Sequence, residues 1–120
     1  MRLALVQMNA SDDPEANIAD LTSAASEAAG GGADMMLTPE VSNCVSTSRG
    51  HQRAILMPEP RDPMLAAMRK AASAHEMWIL LGSLALRTAD PEGRFANRSI
   101  LIDDGGAVRA MWWTRPSRCP

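Results

Sequence analysis

Met35-Met36-Leu37-Thr38-Pro39-Glu40 is a short apolar run that ends on a proline and a carboxylate, and the fold turns on how it is read. Three apolar residues closed by a proline form a brief strand leaving its sheet at Thr38. A glutamate at the carboxyl end of a buried strand stands where open α/β sheets place their ligand crevices, and restricted hydration there can make it a general base. The plain alternative is a solvated loop acid. The tetrapeptide from Leu37 to Glu40 does not by itself separate the two.

Upstream, Leu3 to Met8 is nearly continuous in apolar residues, the pattern of a strand buried on both faces. Asp13 and Pro14 then supply a cap and a first helical position, and Ile18, Leu21, Ala25 and Ala28 recur at helical spacing. Gly30, Gly31 and Gly32 stop that helix. Because they follow a helix, they read as a C-cap and turn; a phosphate cradle would lie between strand and helix.

Downstream, Val41 to Arg61 reads as one long irregular connection containing Pro58 and Pro60. Asp62-Pro63 repeats the cap-then-proline signal, and Leu65, Met68 and Ala72 form the stripe of a second helix ending near His75. Trp78 to Leu84 is a third strand, in which Gly82 permits close approach of another backbone or side chain. Asp90-Pro91-Glu92-Gly93 makes a turn. Ser99 to Ile102 and Ala107 to Ala110 flank Asp103-Asp104-Gly105-Gly106, a hairpin signal. The order predicts an α/β layer, parallel early and antiparallel late.

Composition narrows the function classes. The 120 residues are 46% apolar and carry a formal net charge of -2, which gives no broad attraction to phosphates, so nucleic acid is not an expected partner. No run is long enough to span a bilayer and none resembles a secretory signal, so neither membrane nor export is expected. Two cysteines, Cys44 and Cys119, make neither a disulfide framework nor a CxxC metal spacing. Their scarcity fits a reducing cytoplasm. The nine methionines fall mainly at core-like positions, as packing rather than metal or cofactor ligands.

Several segments together resemble the nitrilase superfamily of carbon-nitrogen hydrolases, particularly the amidase branch that includes omega-amidases. They are Leu3-Ala4-Leu5-Val6-Gln7-Met8-Asn9, Leu37-Thr38-Pro39-Glu40-Val41-Ser42-Asn43-Cys44, Leu81-Gly82-Ser83 and Gly93-Arg94-Phe95-Ala96-Asn97-Arg98-Ser99. They occur in family order. The resemblance implies the N-terminal half of a four-layer αββα sandwich over residues 1–110. It also implies a small-molecule amide substrate, no metal or organic cofactor, and Glu40 as the catalytic acid and base beside a lysine and a nucleophilic cysteine.

The same resemblance shows what is missing. The family carries its lysine in a segment such as Tyr-Asp-Lys-Ile-His, where this chain reads Met111-Trp112-Trp113-Thr114-Arg115-Pro116. Arg115 does not reproduce a compact ammonium. Lys70, the sole lysine, belongs to the second predicted helix, and neither Cys44 nor Cys119 matches the nucleophile's strand-to-helix turn. Residues 111–120 are therefore expected to form a divergent tail, disordered or produced by a shifted reading frame. Trp113-Thr114-Arg115 can be encoded by TGG-ACA-AGA, which contains the Asp-Lys codons GAC-AAG in another frame.

Three readings follow. The first is an inactive N-terminal fragment of an amidase. The second is a small active enzyme that pairs Glu40 with Cys44 or Cys119. The third is a non-catalytic interaction module, a homo-oligomer or a partner of a full-length relative, using an exposed sheet edge and an uncovered apolar face.

Overall fold

A computed structural model of the chain describes residues 1–114. Its elements run β1 (Leu3–Leu5), α1 (Pro14–Gly30), β2 (Met35–Leu37), α2 (Arg49–Ile55), a 3-10 turn (Glu59–Arg61), α3 (Pro63–His75), β3 (Trp78–Leu86), β4 (Ala96–Ile102) and β5 (Val108–Thr114). The five strands form one mixed sheet in sequence order. β1, β2 and β3 pair in parallel, and β3, β4 and β5 are antiparallel. The predicted α/β layer with a late hairpin is what the chain builds.

Both long helices begin on the capping signals in the sequence. The Asp13 carboxylate accepts from the Glu15 and Ala16 amides at 3.0 and 3.4 Å, and Asp62 accepts from Leu65 N at 2.7 Å. Each cap satisfies amides that the first helical turn leaves without partners. Leu21 and Ala25 of α1 and Met64, Leu65, Met68, Ala71 and Ala72 of α3 are buried. They pack against one face of the sheet, where Met36, Ile79, Leu81, Ile100 and Ile102 complete the main core. At the far end Gly106 has φ +84° and its carbonyl accepts from Arg69 Nε at 2.8 Å, which fastens the hairpin to α3.

The other sheet face has no covering layer among the described residues. Register places Leu5, Leu37, Leu80, Leu101 and Ala110 in one row across that face, with Leu3, Met35 and Trp78 in another. Leu3 is 52% exposed, Leu5 75% and Trp112 55%. This corrects the expectation that the first strand is buried on both faces. The strand is also shorter, ending at Leu5, with Val6 adding one further bond to Leu37 O at 2.9 Å. A continuous apolar run records two faces that want cover, and only the helical side supplies it here.

Two further differences concern extent. The connection from Val41 to Arg61 is not wholly irregular, because it contains α2 and the 3-10 turn. α2 buries none of its seven residues and so has no apolar stripe to read, although Ser48 caps it by accepting from His51 N at 3.2 Å. β5 continues to Thr114, so 111–114 form strand, paired with 97–100 of β4. The remainder of the expected tail, including Arg115 and Cys119, lies outside the described residues. Among the described residues no helix is long and apolar enough to cross a membrane.

Candidate functional site

The carboxyl end of β2 is gripped by the middle of β3. Thr38 N donates to Leu80 O at 3.0 Å, and Gly82 N donates to Thr38 Oγ1 at 3.1 Å. A side chain at Gly82 would meet Thr38 O at 1.9 Å and the Pro39 carbonyl at 2.9 Å, so only glycine fits between the two backbones. The Ser42 hydroxyl donates to Pro39 O at 2.5 Å. Having spent its one proton, it accepts from the Thr38 hydroxyl at 2.8 Å. Ser99 Oγ donates to Gly82 O at 2.7 Å from the β4 side.

Beyond the proline the chain turns sharply. Val41 has φ +50°, a left-handed conformation that a β-branched residue adopts only when its surroundings enforce it. Such a residue costs of order 1–3 kcal/mol. Ser83 enforces it: Ser83 Oγ accepts from Val41 N at 2.8 Å, Ser83 O accepts from Ser42 N at 3.0 Å, and Ser83 N donates to Pro39 O at 3.3 Å. Glu40 sits at the apex of this turn, exposed to solvent. Among the described residues its carboxylate has no hydrogen bond or ion pair. The arrangement fixes the backbone of Glu40 and leaves its side chain free to act.

Asn43 ties the turn to the rest of the fold. Buried, it exchanges bonds with Ala85, accepting from the amide at 2.9 Å and donating to the carbonyl at 2.8 Å. Its own carbonyl accepts from Asn17 Nδ2 of α1 at 2.9 Å. Asn43 Nδ2 also reaches the Asp62 cap at 3.5 Å. Burial pushes the Asp62 carboxyl above its ordinary value, against the lowering effect of the Leu65 amide and Asn43.

The other reactive candidates do not converge on Glu40. Cys44 is fully buried with Sγ 3.7 Å from Asp12 O, and burial, helped by the Asp12 charge, raises its thiol pKa. A thiol so placed stays protonated and shielded. Lys70 is exposed on α3. Among the described residues no three histidine, cysteine or acidic side chains gather closely enough to hold a metal ion.

Next to the turn, a cavity of about 240 Å³ opens between α2 and the turn joining β3 to β4, with Val41 in its wall. Arg49 and Arg53 of α2 and Arg94 of the turn line it, over Ala85, Phe95 and Ala96. Arg94 is engaged by Asp90 at 3.0 and 3.1 Å and by Glu92 at 3.5 Å. The Arg94 hydrogen bonds hold the Asp90 carboxyl below its ordinary value. Sequence reading did not identify this cavity, Ser83's role or the strain at Val41. The i, i+4 spacing of Arg49 and Arg53 was available as a signal once α2 had been recognised.

Residues 2–115 match the family model for carbon-nitrogen hydrolase. No curated protein matches. Among solved structures, the NitN amidase of Nesterenkonia sp. AN1 superimposes with a TM-score of 0.78 at 28% identity, covering 100% of this chain and 46% of that one. A variant of that amidase in complex with butyramide gives a TM-score of 0.78 at 28% identity, over 100% of this chain and 45% of that one. The C. elegans NitFhit protein shares the fold at 22% identity, with a TM-score of 0.76, covering 98% of this chain and 30% of that one. The chain thus spans less than half the length of the amidases it matches. Glycine-clasped strands, a glutamate at the exit of β2 and a family match over nearly every residue agree: the chain belongs to the carbon-nitrogen hydrolase family, within the nitrilase superfamily.

Proposed function

We propose that the chain carries the general-base portion of an amide-hydrolysing site, with Glu40 as the catalytic carboxylate, and that it is inactive alone. The observation that supports this is the clasp of Gly82, Thr38 and Ser83 around Pro39 and Val41, which stores strain to hold one exposed glutamate at a strand's carboxyl end. In the complete site Glu40 takes the proton of a cysteine thiol as its sulfur attacks the amide carbon, and gives that proton to the departing nitrogen, which leaves as ammonia or an amine. The carboxylate then deprotonates water, which attacks the thioester, releases the acid and regenerates the thiol. A lysine balances the charge developing on the carbonyl oxygen. The substrate class is a small non-peptide amide, as in the Nesterenkonia amidase structures with acrylamide and butyramide. A cytoplasmic setting accords with Cys44, a free thiol.

The nucleotide sequence from codon 105 onward is the first test, since a shifted frame encoding Asp-Lys and a downstream cysteine turn supports fragmentation. Joining that frame to this chain is expected to restore ammonia release from butyramide, and Glu40→Gln in the joined protein to remove most of it. Full turnover in that variant refutes the role of Glu40. Turnover by the 120-residue chain itself, lost in both Glu40→Gln and Cys44→Ala, refutes the fragment reading.

A second reading, a non-catalytic interaction module or homo-oligomer, is favoured by one observation. Leu3, Leu5 and Trp112 expose apolar surface on one sheet face, and β1 and β5 are its edges. Sedimentation of the purified chain as one defined species larger than a monomer supports it.

A further inference from the structure

We propose that the cavity between α2 and the turn joining β3 to β4 is a binding site for a short aliphatic carboxylate. Three guanidiniums line it, those of Arg49, Arg53 and Arg94. Only two carboxylates answer them. Asp90 and Glu92 are both engaged with Arg94, and among the described residues Arg49 and Arg53 have no anionic partner. This local excess of positive charge stands on a chain whose formal net charge is -2, so it is not a consequence of general basicity.

The geometry favours a carboxylate over other anions. Arg49 and Arg53, one helical turn apart, present planar forks from the same face of α2, and such forks match the two oxygens of a carboxylate. The floor beneath them is apolar, made by Ala85, Phe95 and Ala96, and can cover a chain of a few methylenes. A volume of about 240 Å³ limits the occupant to a small molecule. Inorganic phosphate would satisfy the guanidiniums and leave the floor uncovered. Asp90 and Glu92 set the selectivity from the other side by keeping Arg94 occupied, which confines the anion to the α2 side of the cavity. The inference stands whether or not Glu40 is catalytic.

Butyrate and butyramide share chain length and shape and differ in charge, so they isolate the effect. Titrated into the 15N-labelled 120-residue chain, butyrate is expected to shift the amide resonances of Val41, Gln52 and Gly93 saturably, at least about ten-fold more tightly than butyramide. Arg49→Gln and Arg53→Gln, both at exposed positions, are each expected to erase that preference while leaving the remaining spectrum in place. Arg53→Lys keeps the charge without the fork and is expected to bind several-fold more weakly. Equal binding of butyrate and butyramide, unchanged binding in the glutamine variants, or phosphate binding as tightly as butyrate would each overturn the proposal. So would the absence of a saturable shift in a well-dispersed spectrum.

Discussion

Replacing Gly82 by alanine tests the clasp with a single methyl group. An added Cβ would lie 1.9 Å from Thr38 O and 2.9 Å from both the carbon and the oxygen of the Pro39 carbonyl. Non-bonded heavy atoms rest at about 3.5 Å, so the two strands must part by roughly 1.5 Å. Every atom in the way is backbone, and that backbone is held by Thr38 N to Leu80 O and by Ser83 N to Pro39 O. Overpacking costs about 1–3 kcal/mol, and the lack of a flexible neighbour puts this case at about 3. Alanine recovers about 0.5–1 kcal/mol of the entropy that glycine loses in a strand, leaving a net loss of about 2 kcal/mol. With a urea slope of about 1–3 kcal/mol/M, the unfolding midpoint is expected to fall by roughly 1 M. Gly30→Ala is the control, since a methyl there meets nothing within 4 Å and its midpoint should stay or rise slightly. Equal midpoints and slopes for Gly82→Ala and the wild type would refute the clasp.

Other perturbations separate support from chemistry. Ser83→Ala leaves the Val41 amide without its 2.8 Å acceptor and should cost about 1–2 kcal/mol in urea unfolding. Glu40→Gln, at an exposed residue without a partner among those described, should change stability by less than about 0.5 kcal/mol. In a Cys119→Ser background, thiol labelling of Cys44 should track unfolding, because the folded thiol is buried with a raised pKa; rapid labelling of native protein would contradict this. Asp62 gives a pH test. Its folded pKa lies above the ordinary 3.8, so its contribution to stability is greatest below 3.8 and declines as pH rises through the folded value. Asp62→Asn keeps an oxygen for Leu65 N without titrating. The stability of the wild type relative to that variant should therefore fall as pH rises above 3.8, and a flat or rising difference would exclude the assignment.

Much of the fold was written locally. Asp13-Pro14 and Asp62-Pro63 set the helix starts because a cap and a proline act within one turn, and Asp103 to Gly106 set the hairpin for the same reason. Gly82 was legible as a point of close approach, though not what approaches it, because Thr38 and Pro39 arrive from a different strand. α2 escaped notice since a helix that buries nothing leaves no period in the sequence. The burial of β1 was overestimated for a related reason: its apolar run expresses the need for two covering layers and says nothing of whether both are present.

The site was less legible than the fold because chemistry depends on convergence, which a linear reading does not contain. Glu40 could be found from one strand end. Its support could not, since Ser83 lies 42 residues from the Val41 amide that it holds, and Arg94 reaches the cavity lined by Arg49 and Arg53 only when β3 and β4 fold back beside α2. The same reasoning weighs against Cys44 as the nucleophile. Four residues from Glu40 in sequence, it is carried inward by the left-handed turn at Val41 and sealed against Asp12. The turn that presents the glutamate therefore removes the thiol nearest to it in sequence from reach.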